Sequence, residues 1–94
     1  MTALPKGRLV AREGVMFREM AGESVLLSLD SETYFGLDEI GTRMWNVLVG
    51  APSIEAAYDV LADEFEVDAA ALRGDLSTFI ATLADAGLVA LDDP

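Results

Sequence analysis

The 94-residue sequence contains no cysteine and no histidine, and these two absences exclude several kinds of chemistry. Without cysteine there are no disulfides, thiolate metal sites or cysteine nucleophiles. Without histidine there is no histidine-based triad, and the usual general base near neutral pH is missing. We therefore predict that the chain is not an enzyme and that it binds no metal and no cofactor.

Positive charge is also scarce, because six lysines and arginines stand against 17 acidic residues, for a net charge of −11. Residues 1–18 are basic overall, whereas residues 44–94 hold ten acids and one cation, Arg73. Nucleic-acid affinity depends largely on lysine and arginine contacts, so no nucleic-acid partner is expected. The acidic surface favours solubility and would also attract a basic peptide.

No apolar run approaches the roughly 18 residues of a membrane-spanning helix, and Met1–Lys6 lacks the apolar stretch of a signal peptide. We therefore expect a cytoplasmic protein with no membrane partner. The length predicts one domain with one small core. Residues 1–14 show no periodicity and are expected to form a partly disordered arm. Residues 15–91 are expected to form the folded domain.

Three short segments predict antiparallel strands joined by tight turns. Val15–Met20 and Ser24–Asp30 alternate apolar and polar residues, and Thr33–Leu37 is short and aromatic. Turn-forming residues lie between them, at residues 21–23 and 30–32. Two successive hairpins of this kind form a β-meander.

Three helical patterns follow, beginning at the capping residues Asp38, Ser53 and Asp68. Gly87 is suited to end the last helix, and Leu88–Leu91 predicts a further short strand. The order indicates an α+β fold, a three-stranded antiparallel sheet followed by three helices, similar to a winged helix-turn-helix. The predicted core-facing helix residues are Ile40, Met44, Val47 and Leu48, then Ile54, Ala57, Tyr58, Leu61 and Phe65, then Leu72, Leu76, Phe79, Ile80 and Leu83.

Alternation along the third strand places its side chains on opposite faces. Phe35 and Leu37 are expected in the core, and Tyr34 on the other side with its hydroxyl free. Trp45 either packs in the core or is partly exposed. Gly41 inside the first helix costs about 1 kcal/mol relative to alanine, and a close backbone approach to the helix there would explain it.

The ordered set of these residues resembles the PqqD-like family, whose members are recognition elements for ribosomally made, post-translationally modified peptides. The resemblance covers roughly residues 15–90, although the Thr-Gly usual before the aromatic strand is missing. It rests on Val25–Asp30, Tyr34–Gly41, Met44–Trp45, Val47–Leu48, Phe65–Asp68, Asp75–Leu76, Phe79–Ile80, Leu83 and Gly87–Val89.

The resemblance implies an adaptor without catalytic activity. Such a domain binds the leader segment of a precursor peptide as an added strand on the third strand, in the groove against the third helix. It then presents the precursor to a radical SAM enzyme or a leader peptidase. Lasso-peptide and quinone-cofactor (PQQ-type) pathways both use such adaptors, and the sequence does not choose between them. The chain is expected to be a monomer or a weak or swapped dimer.

The strand pattern and the resemblance together predict a peptide-binding site on the third strand and the third helix. Gly36 either admits a closely approaching guest or eases the bend into the first helix. Arg73 either binds a leader carboxylate or pairs with a local acid. Ile80 is expected to be partly exposed and to form the apolar floor of the peptide-binding groove. The predicted site residues are Glu32, Thr33, Tyr34, Phe35, Gly36, Leu37, Arg73, Leu76, Ser77 and Ile80.

Three alternatives remain open at the level of the sequence. A winged-helix DNA-binding regulator would share the topology, but it needs a basic recognition helix. An acyl or peptidyl carrier needs a serine that opens a helix, whereas Ser31 lies in a predicted hairpin. The third alternative is an enzyme in which Asp59, Asp63 and Glu64 hold a hard cation. These residues lack the glycine of a calcium loop and resemble a solvated helix face.

Overall fold

The computed structural model describes residues 3–92, in which a three-stranded sheet precedes three helices and a small second sheet ties the chain ends together. The predicted α+β fold is confirmed. The elements are β1 (Arg8–Ala11), β2 (Val15–Met20), β3 (Glu23–Ser28), β4 (Thr33–Leu37), α1 (Glu39–Gly50), α2 (Ile54–Phe65), α3 (Ala69–Asp85) and β5 (Val89–Asp92).

The main sheet has the order β2-β3-β4, with both pairs antiparallel. Leu26 lies in its middle, opposite Phe17 on β2 and Phe35 on β4. The β2–β3 hairpin turns on Ala21 and Gly22, which both have positive φ, 55° and 85°. A two-residue loop with this backbone is a type I′ turn, whose twist matches that of the strands it joins.

The arm is more ordered than expected, because Arg8–Ala11 forms β1 and pairs antiparallel with β5. The expectation of partial disorder is therefore wrong for these residues. Leu9 on β1 is buried in the core, and the Gly7 carbonyl accepts the amide of Ile54 at 2.8 Å. Burial of one side chain and satisfaction of one helix N-terminal donor anchor the arm to the helices. The strand predicted after Gly87 is confirmed as β5.

All three predicted helix caps are present. Asp38 accepts the Gly41 amide, Ser53 accepts the Ala56 amide and Asp68 accepts the Ala71 amide, each at 2.8–3.0 Å. α3 ends in a Schellman motif, in which Gly87 has φ +75° and Leu88 N–H reaches the Leu83 carbonyl at 3.0 Å. The motif turns the chain back so that Leu88 is buried and β5 can begin.

The core lies between the inner face of the main sheet and the three helices. The predicted faces of α2 and α3 are confirmed, with Phe65 and Phe79 only partly buried. On α1 the prediction is wrong for Ile40, which is 58% exposed, whereas Trp45 is 4% exposed and stacks on Phe17 with ring centroids 5.7 Å apart. The ring contact turns the buried face of α1 toward Trp45 and leaves Ile40 in solvent.

Gly41 lies close to side-chain atoms of Leu37 and Asp38, the two residues that lead into α1. A Cβ at Gly41 would lie 3.3 Å from a carboxylate oxygen of Asp38 and 3.4 Å from Leu37 side-chain atoms. Contacts this short force neighbouring atoms to move, so a larger residue would strain the junction. The buried hydroxyls of Ser24 and Thr42, 2.8 Å apart, join β3 to α1 nearby. The atoms nearest to a Cβ at Gly41 belong to side chains, so the expectation of a close backbone approach is wrong, although the site is crowded.

Candidate functional site: the free edge of the main sheet

Strand β4 is an edge strand. Its five residues pair with β3 on one side, and within residues 3–92 no strand pairs with the other side. The sequence predicted this exposed edge, and the structure has it. An edge strand presents unpaired backbone N–H and C=O groups, and an extended peptide can satisfy them by adding a strand.

The two hairpins determine which backbone groups of β4 point outward. In a two-residue hairpin the residues flanking the loop, Met20 and Glu23, form a hydrogen-bonded pair, and hydrogen-bonded pairs recur at every second residue. Residues 23, 25 and 27 of β3 therefore bond to β2, and residues 24, 26 and 28 bond to β4. By the observed register, Thr33, Phe35 and Leu37 bond to β3. The outward backbone groups of β4 belong to Tyr34 and Gly36.

The side chains of β4 alternate between the core and solvent, as predicted. Leu37 is buried and Phe35 is half-buried against the core, while Tyr34 is 74% exposed. A guest strand on this edge would therefore meet the Phe35 ring on the core side and the Tyr34 ring on the solvent side. The backbone offers attachment, and the alternating side chains offer discrimination between guests.

Gly36 has no packing reason inside the chain to lack a side chain. A Cβ built there meets no atom within 4 Å, in contrast to Gly41. The empty space lies at the residue whose backbone groups point outward. This observation favours the first of the two interpretations of Gly36, in which a guest approaches closely.

The turn before β4 completes the predicted strand part of the site. Glu32 has a left-handed backbone with φ 54°, and Thr33 Oγ1 donates to the Ser31 carbonyl at 3.2 Å. Both residues are exposed. They fix the point at which β4 begins and leave its edge open from its first residue.

The two apolar residues predicted for the helix part of the site are buried in the core. Ile80 is 2% exposed and Leu76 is fully buried, so the expectation of a partly exposed Ile80 is wrong. The spacing was read correctly as one apolar stripe, but the stripe is wider than expected and Ile80 belongs to its buried centre. Of the four predicted site residues on α3, Arg73 and Ser77 keep partly exposed surface.

Arg73 is bound within the chain. Its two terminal nitrogens donate to the two carboxylate oxygens of Glu55 at 3.1 and 3.2 Å, and its guanidinium lies 4.2 Å from the centre of the Tyr58 ring. Hydrogen bonding to Glu55 raises the pKa of Arg73. A local acid was one of the two expectations for Arg73, and the acid is Glu55 on α2. These contacts link α2 to α3.

The main sheet has a second edge at β2, and it differs from β4. By the same alternation, the outward backbone groups of β2 belong to Val15, Phe17 and Glu19. The Val15 amide already donates to the Arg12 carbonyl at 3.2 Å, and Asn46 on α1 donates to Glu19 at 3.0 Å. Charged side chains such as Glu19 discourage strand addition, whereas Thr33–Leu37 carries no charge and no proline. β4 is the more open edge.

Between residues 3 and 92 no group of three or more acidic side chains converges as metal ligands would. Glu64, one of the acids on the solvated face of α2, receives three hydrogen bonds from Arg43 at 2.7–3.0 Å. Across the same described range, none of the helices combines the length and the apolarity that crossing a bilayer requires.

These observations define a small α+β domain with an open strand edge and a helical core behind it, which is a class of peptide-recognition fold. The model of the family described as coenzyme PQQ synthesis protein D (PqqD) matches residues 23–89. The chain belongs to the PqqD family, as its residues suggested.

Two solved structures share this fold. One, described as TbiB1 in complex with the TbiA(beta) leader peptide, is 34% identical with a TM-score of 0.79, and the match covers 84% of this chain and 92% of that one. The other, described as lasso peptide synthetase B1 complexed with the leader peptide, is 19% identical with a TM-score of 0.80, covering 89% and 99%. The second match supports the fold alone. The search of curated proteins found no match.

Proposed function

We propose that this chain binds the leader segment of a ribosomally made precursor peptide by adding it as a strand to the free edge of β4. The observation that carries the proposal is the pair of outward-facing backbone positions, Tyr34 and Gly36, on an edge strand without charge or proline. An added strand can exchange up to four hydrogen bonds with these two residues. TbiB1, which is 34% identical, was solved with a leader peptide, and this supports the proposal.

The proposed site consists of the strand residues of the sequence prediction, with a smaller contribution from α3. Glu32 and Thr33 border its start, and Phe35 and Tyr34 line its two faces. Ser77 on α3 is partly exposed and remains a candidate contact. Leu76, Ile80 and Leu37 support the site from the core, and Arg73 supports it by holding α3 against α2.

We further propose that the chain has no catalytic role and delivers the bound precursor to a modifying enzyme, either a radical SAM enzyme or a leader peptidase. TbiB1, which is 34% identical, was solved with a leader peptide, and this supports delivery of a precursor through its leader segment. Because precursors of this kind are made on ribosomes, we place the delivery step in the cytoplasm. DNA binding is disfavoured, since α2 and α3 carry one cation, Arg73, and Glu55 already binds it.

Fluorescence polarisation with a labelled TbiA(beta) leader peptide tests the proposed binding directly. We expect saturable binding at micromolar concentrations and none by a scrambled peptide of the same composition. A mixed-sequence DNA duplex at low salt serves as the test of the regulator alternative, and no binding is expected. Absence of leader binding, or binding of the scrambled peptide with equal affinity, would contradict the proposal.

A further inference from the structure

Gly36 leaves a gap in the outer face of the main sheet, which is the face that carries Tyr34 and points away from the helices. By the strand register, Gly36 lies in one cross-strand row with Val25 on β3 and Arg18 on β2. The adjacent row ends on β4 with the Tyr34 ring, which is 74% exposed. The edge of the sheet therefore presents a ring at one outward position and bare backbone at the next.

An open depression of about 650 Å³ lies at this gap. Gly36 and Val25 line it, together with Met20 and Ala21 from the β2–β3 hairpin. Val25 is 39% exposed and Met20 is 73% exposed. Covering this apolar surface is favourable in proportion to the area removed from water. The depression is therefore suited to hold an apolar group.

Nothing within residues 3–92 requires glycine at position 36. A Cβ built there would meet no atom within 4 Å, and the φ of Gly36 lies outside the left-handed region that favours glycine. A β-branched residue would suit the strand better, because glycine weakens a strand interior. Glycine at this position lowers the stability of the strand, and what it provides is open surface beside Val25.

Strand addition would bring a leader side chain to the gap. The backbone groups of Gly36 point outward, so a guest residue would lie directly opposite it, with the two Cα atoms about 5.5 Å apart. Residues directly opposite each other in adjacent strands send their side chains to the same face, which here is the outer face. Because Gly36 has no side chain, the guest side chain can lie across it and reach Val25, as aromatic side chains do over glycines at sheet edges.

The dimensions and charges of the depression select the guest side chain. Val25 and Gly36 form a non-hydrogen-bonded pair about 4.5 Å apart, so the guest Cα would lie about 10 Å from that of Val25. Only a large side chain spans this distance. Arg18, Glu23 and Asp38 also line the depression. Since the acids outnumber the arginine, an acidic guest side chain is disfavoured there.

We propose that Gly36 is a specificity-determining residue, which selects leaders that carry a large apolar side chain at the position opposite it. That side chain lies across Gly36 and packs against Val25 and Met20. The leader residue two positions along, beside Tyr34, meets a ring instead of a gap and is not selected for size in this way. The inference rests on the proposed function, because it needs a leader strand on β4.

A double-mutant cycle between Gly36 and the leader tests the subsite. The labelled TbiA(beta) leader is scanned with alanine, and each peptide is measured by polarisation against the wild-type chain and against Gly36→Val. At one large apolar leader position we expect alanine to weaken binding to the wild type about tenfold or more, because a buried side chain is lost. Gly36→Val fills the gap, so it should bind the unaltered leader about tenfold more weakly. The same alanine substitution should then change its affinity less than about twofold. Gly50→Val is the matched control, because a Cβ at this exposed glycine also meets no atom within 4 Å, and it should leave leader affinity unchanged.

The outcomes separate failure of this inference from failure of the proposed function. Equal leader affinity of Gly36→Val and wild type, or the absence of any leader position coupled to Gly36, would overturn the subsite while leader binding stands. Coupling at a leader lysine or arginine would assign the depression to a cation and also overturn it. Gly36→Val should melt no lower than wild type, and a marked drop would show that the glycine serves the bend into α1 instead. Absence of leader binding by the wild type would overturn the proposed function itself.

Discussion

A proline at Tyr34 should weaken leader binding without disrupting the sheet. The Tyr34 amide points away from β3, so proline there removes a donor that only a guest strand uses. Proline is tolerated on edge strands when its missing N–H faces outward. The preceding residue, Thr33, is already extended, as a residue before proline prefers.

The expected loss follows from one missing hydrogen bond at the interface. A guest carbonyl left without its donor costs about 1–3 kcal/mol. At about 1.4 kcal/mol per tenfold in Kd, the affinity should fall roughly five- to 150-fold. Tyr34→Ala is the matched control, because it removes the same exposed ring and keeps the amide. The comparison of Tyr34→Pro with Tyr34→Ala therefore isolates the backbone contribution.

The assay is polarisation with the labelled TbiA(beta) leader, combined with thermal melting of each variant. Phe35→Pro is the contrasting case, because the Phe35 amide takes part in the pairing of β4 with Leu26 on β3. Loss of that amide should lower the melting temperature markedly. If Tyr34→Pro is folded and binds within twofold of Tyr34→Ala, the backbone edge of β4 does not hold the peptide and the reasoning is refuted.

Three further predictions concern stability. Ile80→Asp should leave the chain unfolded, because it buries an unpaired carboxylate, whereas Ile80→Val should cost only about 1 kcal/mol; circular dichroism and urea unfolding distinguish the two. Thr42→Val should cost about 1–3 kcal/mol by leaving the Ser24 hydroxyl unpaired, and the addition of Ser24→Ala should recover part of this in urea titrations; an additive double variant would contradict the pairing. Hydrogen bonds from Arg43 hold the pKa of Glu64 below its ordinary value of 4.5. The Arg43–Glu64 pair therefore stabilises the folded chain above pH 4.5, and this stabilisation is lost as the pH falls through the lowered pKa of the folded state. Glu64→Gln should therefore lose less stability on acidification than wild type, as melting temperatures measured from neutral pH into this range would show.

Much of the fold follows from local signals in the sequence. Asp38, Ser53 and Asp68 are strong capping residues, and each caps the helix that it was expected to cap. The strands were predictable because their apolar residues alternate, and the type I′ turn requires residues such as Gly22. The pairing of β1 with β5 could not be predicted in this way. It joins the two ends of the chain, and nothing local in Arg8–Ala11 specifies a partner so distant in sequence.

The candidate site was predictable on β4 but not on α3. Alternation alone separates Tyr34 from Phe35, because a strand sends successive side chains to opposite faces. On a helix, by contrast, the width of the buried stripe depends on what packs against it. Ile80 was expected on the exposed flank of its stripe and Trp45 was left open, and tertiary contacts place both in the core. The partner of Arg73 was likewise decided by how α2 packs on α3.

Amide hydrogen exchange of the free and leader-bound chain tests the strand-addition account most directly. The account predicts that the Tyr34 and Gly36 amides, which point away from β3, exchange quickly in the free chain and are protected when the TbiA(beta) leader is bound. The Phe17 and Glu19 amides on the opposite edge, at β2, should be unaffected by the peptide. Protection of Phe17 and Glu19 instead, with Tyr34 and Gly36 unchanged, would contradict the account.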